Sequence, residues 1–279
     1  MVNMNFTHKI KSILGHAERL FGANHKPNEL IVICMHSTPF DRMNDFKLII
    51  EELDKSYKYL PAKNLSDFFL GSYIDGPYYT LSFDDGLMNN YHTAIWLSEN
   101  NKSATYFVVP DFIESSSQAE YYQSKIRPVI NKEVDHELED ITAMSWMHLR
   151  ELVERGHIIG AHSASHTLNT SMSENDLHYE IIDAQKRIEH KLGVKITTIA
   201  SPNNTLISVN TRCAAMIKAH YAMHFTTVPG TFIPTSNPNI IYRRNFEVDW
   251  NKGAIYFALG KWDLWRWTSA QKQLERLQI

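Results

Sequence analysis

His162-Ser-Ala-Ser-His166 sets two imidazoles at i and i+4, a spacing at which one turn of chain can present both to a metal ion. Alone, the pair carries little weight, because a chain with 14 histidines produces such spacings by chance. Asp84-Asp85-Gly86 adds two adjacent carboxylates, and His36 a further imidazole. Asp-Asp-Gly is by itself an ordinary turn. The combination is sharper: two neutral imidazoles and one carboxylate make a three-ligand site with positions left open for water and substrate. Asp84 and Asp85 are neighbours, so only one need bind the ion, and the other can face its water as a base. Gly86 frees the backbone to turn sharply and bring both carboxylates to one place.

Each cluster follows an apolar run of strand length. Leu30-Ile-Val-Ile-Cys-Met35 leads to His36, Tyr78-Tyr-Thr-Leu-Ser-Phe83 to Asp84, and His157-Ile-Ile-Gly-Ala161 to His162. Runs that are apolar throughout predict strands buried on both faces. Residues 104–109 and stretches near 197–201, 223–227 and 240–243 read the same way. Helical patterns lie between them, over residues 43–55, 89–100, 146–155 (with Gly156 as C-cap) and 173–192, which Gly193 closes. This alternation predicts a parallel sheet or barrel covered by helices, whose C-terminal strand ends converge on one rim where active sites form. Residues 111–143 are polar and acidic with no clear period and read as a long insertion over one face.

Ile10, Ile13, Leu14, Ala17, Leu20 and Phe21 recur at helical spacing, which predicts an amphipathic helix over 6–22. Packing on the domain is expected of it ahead of a place on a membrane surface. Near the other end, Trp262-Asp-Leu-Trp-Arg-Trp-Thr beside Lys261 resembles an interfacial anchor, although a helix packed on the core or on a dimer partner is the commoner use of such a stretch. The chain thus divides into an N-terminal helix and link (1–28), one catalytic domain (29–250) and an aromatic-rich C-terminal helix (251–279). No internal repeat is present.

Composition sets outer bounds. The formal charge of −3 gives no global basic field to draw nucleic acid. Two cysteines, Cys34 and Cys213, are too few for a disulfide framework and fit a reducing compartment. No apolar run reaches spanning length, and the first residues lack the apolar core and cleavage site of a signal peptide, so a cytoplasmic protein is expected.

Thr80-Leu-Ser-Phe-Asp-Asp-Gly86 resembles the first motif of the polysaccharide deacetylases, the NodB-homology family of carbohydrate esterases, and His162-Ser-Ala-Ser-His166 resembles their second. Residues 144–160 are similar to the family's helix-and-strand lead-in to that motif, and the resemblance runs from about residue 30 to 245. It implies an α/β fold, a distorted (β/α) barrel of about seven parallel strands in a single domain. It also implies a metal-dependent hydrolase that removes an N-acetyl group from an amino sugar, in surface-polysaccharide biosynthesis. Asp85, His162 and His166 would be the ligands of one divalent ion, zinc first, with cobalt, nickel or iron as alternatives, and Asp84 the catalytic base. The family's usual C-terminal acid histidine motif is missing. Ile31-Val-Ile-Cys-Met-His36 resembles the branch acting on poly-N-acetylglucosamine, where the acid lies upstream, so His36 is the candidate acid and His224 its competitor. The third motif would fall at residues 200–204, where Pro202 and Asn203 stand but the arginine that orients the aspartate does not. Arg243 or Arg244 could replace it by position.

The expected partner is an N-acetylated sugar, nucleotide-, lipid- or glycan-linked, with no nucleic acid. Peripheral membrane contact or a homo-oligomer through the C-terminal aromatic helix is the further expectation. A deformylase or other amide hydrolase of the same fold, or an inactive glycan-binding relative, are the alternatives.

Overall fold

The computed structural model describes residues 4–20, 28–128, 141–234, 236 and 239–277. Its frame is a nine-stranded sheet: β1 (Leu30–Met35), β2 (Lys58–Tyr59), β3 (Tyr78–Phe83), β4 (Ala104–Val108), β5 (Ile158–Ala161), β6 (Thr198–Ala200), β7 (Met223–Phe225), β8 (Ile240–Ile241) and β9 (Arg244–Asn245). The order is β8-β7-β6-β5-β4-β3-β1-β9, with β2 beside β3, and every pairing is parallel. Nine strands replace the expected seven or so because β2 and β9 are two-residue pairs, too short to leave a period in the sequence. The strand expected over 240–243 ends at Ile241 as β8, and a separate short strand, β9, follows at Arg244–Asn245. The sheet therefore begins and ends on one six-residue stretch, 240–245, and curls round until its edges meet there.

Alternation along the strands sorts side chains between two cores. Ile31, Ile33, Met35, Tyr79, Leu81 and Phe83 face the helices, while Leu30, Val32 and Tyr78 share an inner cluster with Phe107, Phe225 and Ile241. The same period carries inward to Cys34 and His36 on one strand and to Ser82 and Asp84 on the next. On β5, Gly160 faces in, and a Cβ there would strike the Phe107 ring and Thr198 Oγ1, so β5 lies close against both neighbouring strands just before His162.

The covering helices match their sequence signals. Ser173 and Asp176 cap each other's backbone at the start of a helical stretch that Gly193 ends at a φ of 73°. Residues 110–126 differ from the expected featureless insertion. They form helical segments Pro110–Glu114, Gln118–Tyr121 and Tyr122–Ile126, which bury Phe112, Ile113, Tyr122 and Ile126. Turns this brief are too short for a period to show. Residues 129–140 of that insertion lie outside the described residues.

The chain's two ends also differ from expectation. The C-terminal region is three helices, Lys252–Leu259, Lys261–Trp265 and Thr268–Arg276, because Gly260 is extended and interrupts the run. The N-terminal helix, Met4–Leu20, does pack on the domain, against Lys252–Leu259, but through Ser12 and Gly15. A Cβ at Gly15 would collide with the Gly253 carbonyl, and one at Gly253 with Ser12. Arg19 secures the contact, 3.8 Å from Glu52 and 4.2 Å above the Tyr256 ring. Ile10 and Ile13 are left exposed on the opposite side.

Candidate metal centre and active site

The inward rows of β1, β3 and β5 end at one place. One ligand atom each from Asp85, His162 and His166 lie within 4.8 Å of one another, all three residues buried. His166 Nε2 is 3.2 Å and His162 Nε2 3.5 Å from Asp85 Oδ1. Local backbone makes this possible. Asp85 and Gly86 both take left-handed conformations, φ 69° and 70°, so two residues after an extended strand the chain reverses and both carboxylates face the rim. Ser163 and His166 are left-handed too, at 58° and 59°, which coils 162–166 tightly enough to bring the imidazoles together.

Hydrogen bonds fix what the two rings offer. His162 Nδ1 lies 3.0 Å from the Ala200 carbonyl and His166 Nδ1 3.2 Å from that of Lys125. Each Nδ1–H donates there, so in the neutral ring the Nε2 lone pair points toward Asp85. Both Asp85 oxygens are buried and lack any hydrogen-bond partner. Two lone pairs and a carboxylate converging in a buried space repel one another unless a cation lies between them. A divalent metal ion fits this donor set.

Asp84 is held differently. Arg243 donates from Nη1 to Oδ1 at 2.6 Å and from Nη2 to Oδ2 at 2.9 Å, and Cys34 Sγ donates to Oδ2 from below at 3.6 Å. Burial pushes the Asp84 carboxyl up, but the Arg243 guanidinium and then His162 outweigh it, leaving the group below the usual carboxylate range. His36 Nε2 stands 4.0 Å from Asp84 Oδ2, with 27% of its side chain exposed. Its loop is pinned from the turn after Gly86. Asn90 Nδ2 donates to the His36 carbonyl, and Asn89 Nδ2 to Ser37 Oγ.

The structure does not bring every candidate to the site. Arg244 points elsewhere, to the carbonyls of Gly230 and Ala258 and to Thr231 Oγ1. His224 alternates with Met223 and Phe225, which occupy the inner cluster, so it faces the other way. There it pairs with Ser201 Oγ, and burial then Arg243 lower its pKa to about 3. Pro202 offers its carbonyl to Ser208. Asn203, left-handed at φ 64°, lines the cavity with a buried, unpartnered Oδ1. The cavity has a volume of about 520 Å³ and is lined by Asp84, Asp85, His162 and His166 together with Trp250 and Trp267.

Two supports escaped the sequence reading. Glu180 Oε2 accepts from the backbone N–H groups of Ala164 and Ser165, and its Oε1 from Ser165 Oγ, fastening the coil between the histidines. It sits in a π-helical turn, Tyr179–Asp183, a bulge that no simple period reveals. The other support is the 110–126 segment, whose Lys125 carbonyl orients His166 and whose Tyr121 hydroxyl donates to the Ser165 carbonyl.

A curled parallel sheet with a buried Asp-His-His cluster and a second, arginine-held carboxylate at its rim defines an α/β protein built for chemistry on a bound ligand. Residues 74–223 match the family described as polysaccharide deacetylase, and the chain belongs to that family. No curated protein sequence matches it. Among solved structures, IcaB from Ammonifex degensii is similar at a TM-score of 0.63 and 15% identity, covering 83% of this chain and 97% of that one. The Streptococcus pyogenes deacetylase PplD, solved with acetate, gives 0.62 and 14%, covering 80% and 94%. The BpsB deacetylase domain from Bordetella bronchiseptica gives 0.58 and 18%, covering 81% and 98%. At these identities the likeness is one of fold.

Proposed function

We propose that the protein is a metal-dependent hydrolase that removes the acetyl group from an N-acetylated amino sugar during surface-polysaccharide assembly. The observation that carries the reading is the convergence of two unpartnered Asp85 oxygens with the Nε2 atoms of His162 and His166. These three residues hold the ion, for which zinc is the first choice and cobalt, nickel or iron also suit the donors. A divalent ion there supplies Lewis acidity to the amide carbonyl and to an attacking water.

The remaining chemistry belongs to side chains. Asp84, ionised and aimed by Arg243, takes the proton of the attacking water. His36, across from it and open to solvent, gives a proton to the departing amine nitrogen, which is too basic to leave as an anion. His224 is unsuited to that task, because it is neutral and faces away. Asn203, Trp250 and Trp267, which also line the cavity, provide contacts for the sugar.

Purified protein should release acetate from an N-acetylglucosamine oligomer, lose the activity to a chelator and regain it with zinc or cobalt. Formate release from an N-formyl sugar, without acetate release, would make it a deformylase. Metal binding without either reaction would leave a glycan-binding relative.

A further inference from the structure

The N-terminal helix is amphipathic, yet it sits on the domain through its small, polar side. Ser12 and Gly15 make the close contact with Gly253, and Arg19 reaches Glu52 and Tyr256. Its apolar stripe points the other way. Ile13 is 69% and Ile10 41% exposed, and none of the helix's described side chains enters either hydrophobic cluster. Leu14 and Ala17 are half-buried, so the uncovered part of the stripe is Ile10 and Ile13. An apolar edge left open after the helix has been firmly seated needs another apolar medium.

Charge indicates which medium. Lys9 is exposed beside the stripe, and Lys11 makes no hydrogen bond or ion pair among the described residues. Trp265, 82% exposed, follows the exposed Lys261 and precedes Arg266. The two features flank one helix, since both the N-terminal helix and Lys261–Trp265 contact Lys252–Leu259. An apolar stripe and an indole edged by cations match the headgroup region of an anionic bilayer. A second copy of the chain fits less well, because a two-fold pairing on so narrow a stripe would bring Lys9 toward its own counterpart.

We propose that this face docks on an anionic membrane surface, with Ile10, Ile13 and Trp265 entering the headgroup layer and the catalytic cavity opening beside it. Among the described residues no helix is long and apolar enough to cross a membrane, so the attachment is peripheral. The inference does not depend on the reaction assigned to the cavity.

Flotation of the full chain with lipid vesicles tests it. The protein should rise with vesicles that are about one-third phosphatidylglycerol in phosphatidylcholine, rise less with phosphatidylcholine alone, and be released by salt. The double variant Ile10→Ser with Ile13→Ser, and separately Trp265→Ser, should each lower the bound fraction at least about tenfold, since each removes an apolar anchor. Acetate release from a soluble oligomer, followed in parallel, should be unchanged in both, so a failure of docking and a failure of the proposed reaction are read separately. The proposal is overturned if the parent protein stays at the bottom with both lipids or if both variants float as it does. It is equally overturned if light scattering shows a dimer that the isoleucine variant splits, which would assign the stripe to a second copy.

Discussion

Arg243 and Asp84 lie 159 residues apart in sequence, yet two guanidinium nitrogens meet two carboxylate oxygens in a fully buried, two-pronged contact. Arg243 is itself steadied by a bond from Nε to the Thr226 carbonyl at 2.9 Å. The fork fixes the plane of the carboxylate, which a point charge cannot do. Arg243 lies in the turn between β8 and β9, and by position it is one of the two arginines expected to replace the one missing at residues 200–204.

Arg243→Lys should therefore keep most of the charge compensation and lose the aim. A fall in kcat of roughly 10- to 100-fold is expected, with metal content unchanged. Arg243→Ala should instead destabilise the fold by about 3–5 kcal/mol, because it leaves a buried carboxylate unpaired. Acetate release, metal analysis and urea unfolding distinguish the two effects.

The adjacent carboxylates should separate by role. Asp84→Asn is expected to retain the metal and lose about 100-fold or more in turnover. Asp85→Asn, His162→Ala and His166→Ala should each lose metal and activity together. Metal content of the purified variants, set against their rates, is the check; an Asp84→Asn enzyme with parent rates would put the base elsewhere.

His36→Ala should slow amide hydrolysis while sparing an aryl acetate, whose leaving group departs without a proton. His224→Ala should affect stability more than the amide-to-ester ratio, because that ring is buried against Ser201 with its pKa lowered to about 3. Comparing the two substrates across the two variants assigns the acid.

Glu180→Ala removes three hydrogen bonds from the coil between the histidines. Metal affinity should weaken by roughly 10- to 100-fold, as for other groups that orient ligands from behind. Glu180→Gln keeps an acceptor oxygen for the two backbone N–H groups and should recover part of the loss. A competition titration with a zinc chelator measures both.

His157 gives a pH signature unrelated to the site. Its Nδ1 accepts from Ala104 N–H and its Nε2 donates to the Ala94 carbonyl, and burial lowers its pKa to about 4. Unfolded, the ring titrates near 6.5. Below that pH the unfolded chain takes up a proton that the folded chain refuses, so stability present above about 6.5 is lost as pH falls toward 4. Between pH 7 and 4.5 the parent protein should lose about 2 kcal/mol more than His157→Gln in urea unfolding.

Much of this was legible from local pattern. His36, Asp84, Asp85 and His162 each sit directly after a strand that apolar content announces, so their arrival at one rim follows from parallel topology. Partnerships across the fold were not. Nothing near Arg243 distinguishes it from Arg244 until alternation and the turn after β8 decide which side chain enters the barrel. Lys125 acts through its carbonyl, which no residue type encodes. His224 shows a neglected signal, since its apolar neighbours Met223 and Phe225 already placed it on the opposite face. The period over residues 6–22 predicts a helix but not the side it rests on, because a glycine contact, rather than the apolar stripe, chose the seat.

The stretch 240–245 forms both edges of the sheet, and this sets an order of events during synthesis. A chain emerging from the ribosome can pair β1 with β3 and add β4 to β7 in turn, yet until residue 245 is free the curl stays open and Asp84 has no guanidinium to hold it. Contacts of such long sequence separation form late and slowly. Truncations ending before β8 should give a protein with unpaired strand edges, prone to self-association and inactive. The protein is in this sense self-timed, its Asp84–Arg243 contact arriving only when residues 240–245 complete both edges of the sheet.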